Sequence, residues 1–353
     1  MPSRILLITP AFYGIEKKIK STLEDLGNEV IWIENKSLNL DYHGIKSKLK
    51  FIRKIFYFFS TPHIKYINRE LGKIENLDFD FLFAINGHII SRQLIQKLKN
   101  NNAQIKSILY LWDSTKMYSW VGESRFFDRV YTFDHEDSNV YGWEYLPNFF
   151  IKEYPISDNK YDIFFAGKFS PERLRFLDSI VNQAANMSAK LFFKLVPSYK
   201  NLIHSKLLWK IFKMSRIKGE WIENYISSYE ATEGILHRDY IYYETIEFIE
   251  LQKELRSSNV IIDIPFASQT GYSHSLIGAL GNGKKVITTN HLIQMETFYN
   301  PDQIKIISSD NPVIDLKWIK EKVDFPIQSN FDHLELGTWL KTLISIQVVQ
   351  NGC

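Results

Sequence analysis

Short apolar runs alternate with amphipathic stretches along most of the chain. Ile5 to Thr9 is apolar throughout, Glu16 to Leu26 repeats its apolar residues at helical spacing, and Glu29 to Glu34 returns to a strand-like run, so the chain opens β-α-β. Further strands are expected at Phe79 to Ile85, Ser107 to Trp112 and Arg129 to Phe133, with a helix from Ser91 to Lys99. The periodicity stops around Tyr145 to Pro155. Tyr161 to Gly167 then begins a new strand, a helix follows from Pro171, and strand Lys190 to Val196, helix Thr245 to Ser257 and strand Asn259 to Asp263 come after it. Leu334 to Val348 has the pattern of a closing helix. Strands alternating with helices imply parallel sheets. The expectation is α/β: one Rossmann-like, doubly wound domain over 1–150, a second over 151–330 and a closing helix in 331–353, the two sheets facing a central cleft. Ligands of open α/β sheets bind beyond the carboxyl ends of the strands. That places Pro10 to Gly14, Asn86-Gly-His88, Asp113-Ser114, Asp134 to Asp137, Gly167-Lys168, Pro265 to Ser275 and Thr288 to Asn290 at the site.

One segment has a more definite chemistry. Asp263-Ile-Pro265 ends a strand, Gly271-Tyr-Ser-His-Ser275 opens a helix, Gly281 and Gly283 close it, and Lys285 to Thr289 forms the next strand. A helix start offers unpaired N–H groups and the positive end of its dipole, to which Ser273 and Ser275 add hydroxyls. Phosphate is the natural guest, and Gln269, Gly271, Ser273, His274, Ser275, Thr289 and Asn290 are the candidate contacts. The same serines also fit an ordinary helix cap, and the segment alone leaves both readings open.

Composition narrows the class of protein. With 353 residues, 45% apolar, 24% charged and 15% aromatic, the chain can bury a large core. A net charge of +3 and the lack of a base-reading motif argue against a nucleic-acid partner. The single cysteine, Cys353, excludes an intramolecular disulfide. No apolar run approaches the roughly 20 residues that span a bilayer, and the first residues lead straight into a strand, so a cytoplasmic location is expected. Ile45 to Phe59 carries five basic residues on a dense apolar stripe. It either lies on the cytoplasmic face of the inner membrane or packs on the N-terminal domain with its charges in water. The basic, aromatic region Lys190 to Lys218 favours the membrane.

Several motifs occur in a set order: Leu109-Tyr-Leu-Trp-Asp-Ser114, Phe127 to Asp137, Leu146-Pro-Asn-Phe-Phe150, Tyr161-Asp-Ile-Phe-Phe-Ala-Gly167, Ile287-Thr-Thr-Asn290 and Phe298-Tyr-Asn300. Together, over Ser107 to Ile307, they resemble the bacterial capsule and lipopolysaccharide biosynthesis glycosyltransferase-like proteins of GT-B architecture, akin to the CgeB-like group. The resemblance implies transfer of a sugar from a nucleotide-sugar donor, bound by the C-terminal domain, to a growing surface glycan or lipid-linked acceptor on the N-terminal one. It also exposes departures. Relatives carry an arginine where this chain has Ser275 and a glutamate where it has Gly278, and a partner acid would fall on Thr270. A catalytically degenerate glycan-binding or partner protein, and a transferase using a CMP-linked acidic sugar, are the alternatives.

Under this reading Gly167, Lys168 and Arg173 are diphosphate contacts, the two cations as charge-assisted donors. Asp113 is a candidate base for the acceptor hydroxyl, or an N-cap. Asp134, His135 and Asp137 form a second acid and imidazole cluster, catalytic or structural, while Gly14 and His88 fall on the acceptor side. No tightly bound metal or cofactor is implied.

Overall fold

A computed structural model describes residues 2–35, 77–86, 92–117, 121–152, 159–186, 188–196, 206–214, 239–242, 248–321 and 331–345, with short pieces between 66 and 74 and between 222 and 230. His88, the segment 45–59 and much of 190–218 lie outside the described residues.

The chain forms two compact units. Unit 1 comprises Met1–Ile151, Pro265–Tyr272 and Asp332–Cys353, and unit 2 comprises Lys152–Ile264 and Ser273–Phe331. Both the closing helix and the eight-residue stretch Pro265–Tyr272 thus fall with the N-terminal sheet.

Unit 1 is a six-stranded sheet of β1 (Arg4–Thr9), β2 (Glu29–Glu34), β3 (Phe81–Ile85), β4 (Lys106–Leu111), β5 (Arg129–Thr132) and β6 (Glu144–Tyr145), in the order β2-β1-β3-β4-β5-β6. Every pair is parallel, with Ile5 beside Val30 and Phe81. The central strands β1, β3 and β4 read as largely apolar runs because both faces are covered. Leu6, Ile8, Leu82, Ala84, Leu109 and Leu111 share one face with Leu94 and Ile95 of the helix Arg92–Asn101. On the other, Trp339 of the helix Leu336–Ser345 packs against Phe83 and Tyr110, and the helix Ile15–Asp25 lies beside it.

Unit 2 is a five-stranded sheet of β7 (Tyr161–Lys168), β8 (Leu191–Val196), β9 (Ser258–Asp263), β10 (Lys285–Thr288) and β11 (Ile304–Ile306), in the order β11-β10-β9-β7-β8, again parallel throughout. Leu174, Leu177 and Ile180 of the helix Pro171–Asn186 and Ile319 of the helix Leu316–Lys320 pack on Ile163, Phe165, Val260 and Ile262.

Counted within each unit, the two sheets have the same strand order. The first strand sits between the second and third, and the direction of winding reverses at β1/β3 in unit 1 and at β7/β9 in unit 2. These are the topological switch points, where the loops diverge and leave a crevice at the carboxyl ends.

Candidate functional site

At the carboxyl edge of unit 1 a chain of side chains spans the β1/β3 switch point. The Asn35 side chain donates from Nδ2 to the carbonyl of Asn86 at 2.5 Å, and Asn86 donates from Nδ2 to Asp113 Oδ2 at 2.6 Å. Asn86 has a left-handed backbone, φ 48°, and its Oδ1 accepts from Trp112 N at 3.2 Å. Both asparagines are buried, whereas Asp113 is half-exposed. Asp113 is therefore a carboxylate reachable from solvent and oriented by an amide that is itself locked. The sequence already marks Asn86 as a strand-end residue at the site; it misses Asn35, which directly follows β2 and carries the same signal.

The neighbouring acids have other work. Asp134 is buried and accepts five hydrogen bonds: from Glu136 N and Asp137 N at 3.0 and 3.1 Å, from Thr270 N and Oγ1 at 2.6 and 2.8 Å, and from Gly271 N at 3.2 Å. A carboxylate offers about four lone-pair positions, so Asp134 has none left for a substrate proton. It caps the helix His135–Tyr141 and pins the Pro265–Tyr272 segment, the structural one of the two roles the sequence left open. Asp137 accepts from Thr115 N at 2.8 Å and Oγ1 at 2.5 Å, and burial raises its pKa above the ordinary carboxylate value. His135 stacks on Tyr145, ring centroids 4.0 Å apart, with Nε2 3.2 Å from the Tyr272 hydroxyl.

Gln269 and Gly271 belong to unit 1 rather than to the unit of the helix they precede. A Cβ on Gly271 would lie 2.4 Å from the carbonyl oxygen of Phe133, so the glycine permits a close backbone approach. Gly14 takes φ 90° as the residue before the helix Ile15–Asp25.

In unit 2 the corresponding edge is built around Arg173 and Asp263. Arg173 donates from Nε and Nη2 to the carbonyl of Ile264 at 2.8 and 2.5 Å, and from Nη1 to that of Lys168 at 2.9 Å. It ties the ends of β7 and β9 together across their switch point. Gly167 keeps room for it, since a Cβ there would lie 3.2 Å from Nη1. Burial lowers the guanidinium pKa to about 10, so it stays charged at neutral pH. Asp263, buried at the end of β9, accepts from Ser273 Oγ at 2.6 Å and Thr288 Oγ1 at 2.9 Å. Burial raises its pKa, against the opposing pull of these hydroxyls and of Arg173.

Ser273 is the N-cap of the helix His274–Gly281: its Oγ accepts from Leu276 N at 3.1 Å while its proton goes to Asp263. Asn290 likewise caps the next turn through Leu292 N. Half-buried Ser275 and Thr289 and exposed Lys168 remain at this edge with side chains outside those bonds. Gly278 faces open space, and a Cβ there would meet nothing within 4 Å.

No protein-family model matches the chain, and no curated protein matches it in sequence. Solved structures do. An α,α-trehalose-phosphate synthase (UDP-forming) from Burkholderia vietnamiensis matches 97% of this chain over 99% of its own, at 10% identity and a TM-score of 0.51. The lipopolysaccharide outer core galactosyltransferase WaaB matches 97% over 99%, at 11% identity and a TM-score of 0.46. The UDP-GlcNAc 2-epimerase from Neisseria meningitidis matches 90% over 89%, at 9% identity and a TM-score of 0.43. At such identities the likeness is one of fold, and with its two Rossmann-like parallel sheets the chain has the GT-B fold.

Proposed function

We propose that the chain is a glycosyltransferase that takes a sugar from a nucleotide-sugar donor held by unit 2 and passes it to a hydroxyl of a growing bacterial surface glycan, capsule, O-antigen or lipopolysaccharide, held by unit 1. The observation that carries this is the charged guanidinium of Arg173 at the β7/β9 switch point, beside exposed Lys168 and the start of the helix His274–Gly281. Open α/β sheets bind nucleotides at such a point, and fixed positive charge there stabilises a departing diphosphate. The fold's likeness to a synthase described as UDP-forming supports the same donor class. Arg173 acts chiefly through its fixed charge, since three of its five N–H donors already hold Ile264 and Lys168. Lys168, Ser275 and Thr289 supply adaptable contacts.

In the transfer, the acceptor oxygen forms a bond to the anomeric carbon while the bond from that carbon to the diphosphate oxygen breaks. Asp113 takes the hydroxyl proton, and the diphosphate leaves with the electron pair. The ordered motifs that resemble those of the capsule and lipopolysaccharide group, CgeB-like proteins included, support a surface glycan as acceptor. Segment 45–59 would supply the peripheral contact with the inner membrane; among the described residues no helix is long and apolar enough to cross one.

A second reading is a partner protein that binds glycan without turnover. It is favoured by Gly278, which stands where the resembled group carries a glutamate although an added Cβ there would meet nothing within 4 Å.

Thermal shifts with UDP, GDP, CMP, dTDP and their sugars test the donor site. One nucleotide family is expected to stabilise the protein, and Lys168→Ala to shrink that shift without lowering the ligand-free midpoint. Absence of any shift refutes the donor assignment. Incubation with labelled nucleotide sugars and host membranes separates the readings, because labelled glycan excludes the inactive partner.

A further inference from the structure

The loop between β1 and the helix Ile15–Asp25 holds an aromatic pair under strain. Tyr13 has φ 55°, a left-handed backbone that bulky side chains avoid, and Gly14 follows at φ 90°. The turn is held by Glu16 Oε2, which accepts from Phe12 N at 2.9 Å, and by Ile15 N donating to Phe12 O at 3.1 Å. Yet both rings remain exposed, Phe12 at 36% and Tyr13 at 41%. They meet edge to face at 4.6 Å, and Phe12 leans on Trp112, 5.6 Å away, the residue immediately before Asp113. Strain that presents apolar surface to water adds nothing to folding; such outliers gather at ligand sites.

A second observation lies at the same strand ends. The Asn35 amide nitrogen is committed to the Asn86 carbonyl, which fixes the opposite atom, Oδ1, as a buried acceptor with no donor in the described chain. A buried acceptor left unmatched costs roughly 1–3 kcal/mol, so it calls for a hydroxyl or water.

From this the geometry points to a pyranose subsite at the β1/β3 switch point of unit 1: a neutral sugar stacks one face of axial C–H bonds on the ring of Tyr13, which Phe12 supports edge to face, and offers hydroxyls to Asp113 and Asn35. The aromatic faces carry partial negative charge that attracts those C–H bonds. The carboxylates of Asp113 and Glu16 disfavour an anionic sugar. That the bound sugar is the acceptor rests on the transferase reading; the stacking does not.

Saturation-transfer NMR on the full chain tests it, with methyl β-D-glucopyranoside and methyl β-D-galactopyranoside as probes and methyl β-D-glucuronide as the anionic comparator. The neutral glycosides are expected to receive saturation on the axial protons of one ring face, and to bind about tenfold better than the glucuronide. Phe12→Ala and Tyr13→Gly should each weaken binding about tenfold. Tyr13→Gly should do so with an unchanged or higher unfolding midpoint, since glycine accepts the left-handed backbone. No saturation of the neutral glycosides, equal binding of the glucuronide, or undiminished binding by Tyr13→Gly overturns the proposal. Loss of glycoside binding with intact nucleotide shifts sinks this subsite alone. Glycoside binding without any nucleotide shift supports the subsite while refuting the donor assignment.

Discussion

Residue 271 is a glycine because its α-carbon sits against the main chain of Phe133. An added methyl would meet the Phe133 carbonyl oxygen at 2.4 Å and its ring at 2.5 Å, and the segment cannot retreat while Thr270 N and Gly271 N hold Asp134. Gly271→Ala is expected to lower stability by about 1–3 kcal/mol, the usual cost of overpacking, in urea denaturation. Gly278→Ala, a helical glycine facing open space, should instead raise it by about 1 kcal/mol. Asp263 gives a pH signature. Burial raises its folded pKa above the ordinary 3.8, so just above 3.8 the folded chain binds more protons than the unfolded one. Stability contributed by this group therefore falls as pH rises through that window. Comparing denaturation midpoints of the wild type and Asp263→Asn from 3.8 to neutrality should show a shallower decline in the variant.

Among elements, the one around Asp134 is least visible in the sequence. The strands with long apolar runs are legible to within a few residues, as are the helices with an apolar stripe, because burial on two faces or one leaves its own period. His135–Tyr141 has acids and an asparagine where a stripe would be, and its helix depends on the Asp134 cap. β6 and β11, two and three residues long, are too short for any period to register. The assignment of Pro265–Tyr272 to the first sheet is tertiary: Asp134 and Asn148, whose Nδ2 donates to Tyr272 O at 2.9 Å, draw it there. At the site, Asp113 is legible as a polar residue at a strand end. Asn86 is legible in the same way, but Asn35 is not, because its value lies in a hydrogen bond to Asn86 across 51 positions of sequence. Asp134→Ala removes an acceptor from five donors at once, of which Glu136 N keeps a second one, Thr270 Oγ1 at 3.2 Å. It is expected to cost about 3 kcal/mol or more, since each buried donor left unmatched costs roughly 1–3 kcal/mol. Hydrogen exchange should accelerate at the amides of Thr270 and Gly271; unchanged protection there would refute the pinning role.

At the scale of the whole chain, unit 1 is not complete until its last residues are made. Leu334 O and Leu336 N exchange hydrogen bonds with Phe150, and Trp339, fully buried, donates from Nε1 to Pro147 O at 3.0 Å and sets its ring edge to face on Tyr110 at 4.7 Å. These contacts close the face that the β3 and β4 residues Phe83 and Tyr110 would otherwise expose to water. Unit 2, by contrast, takes no residue from beyond Phe331. Trp339→Ala should cost unit 1 about 3–5 kcal/mol, the range for removing a large buried aromatic side chain. Ending the chain at Phe331 should go further, abolishing slow amide exchange in β1, β3 and β4 while β7, β9 and β10 keep theirs. Loss of protection in both sheets together would mean that the two units fold as one cooperative whole, and retention in both would mean that the closing helix is dispensable to the sheet it covers.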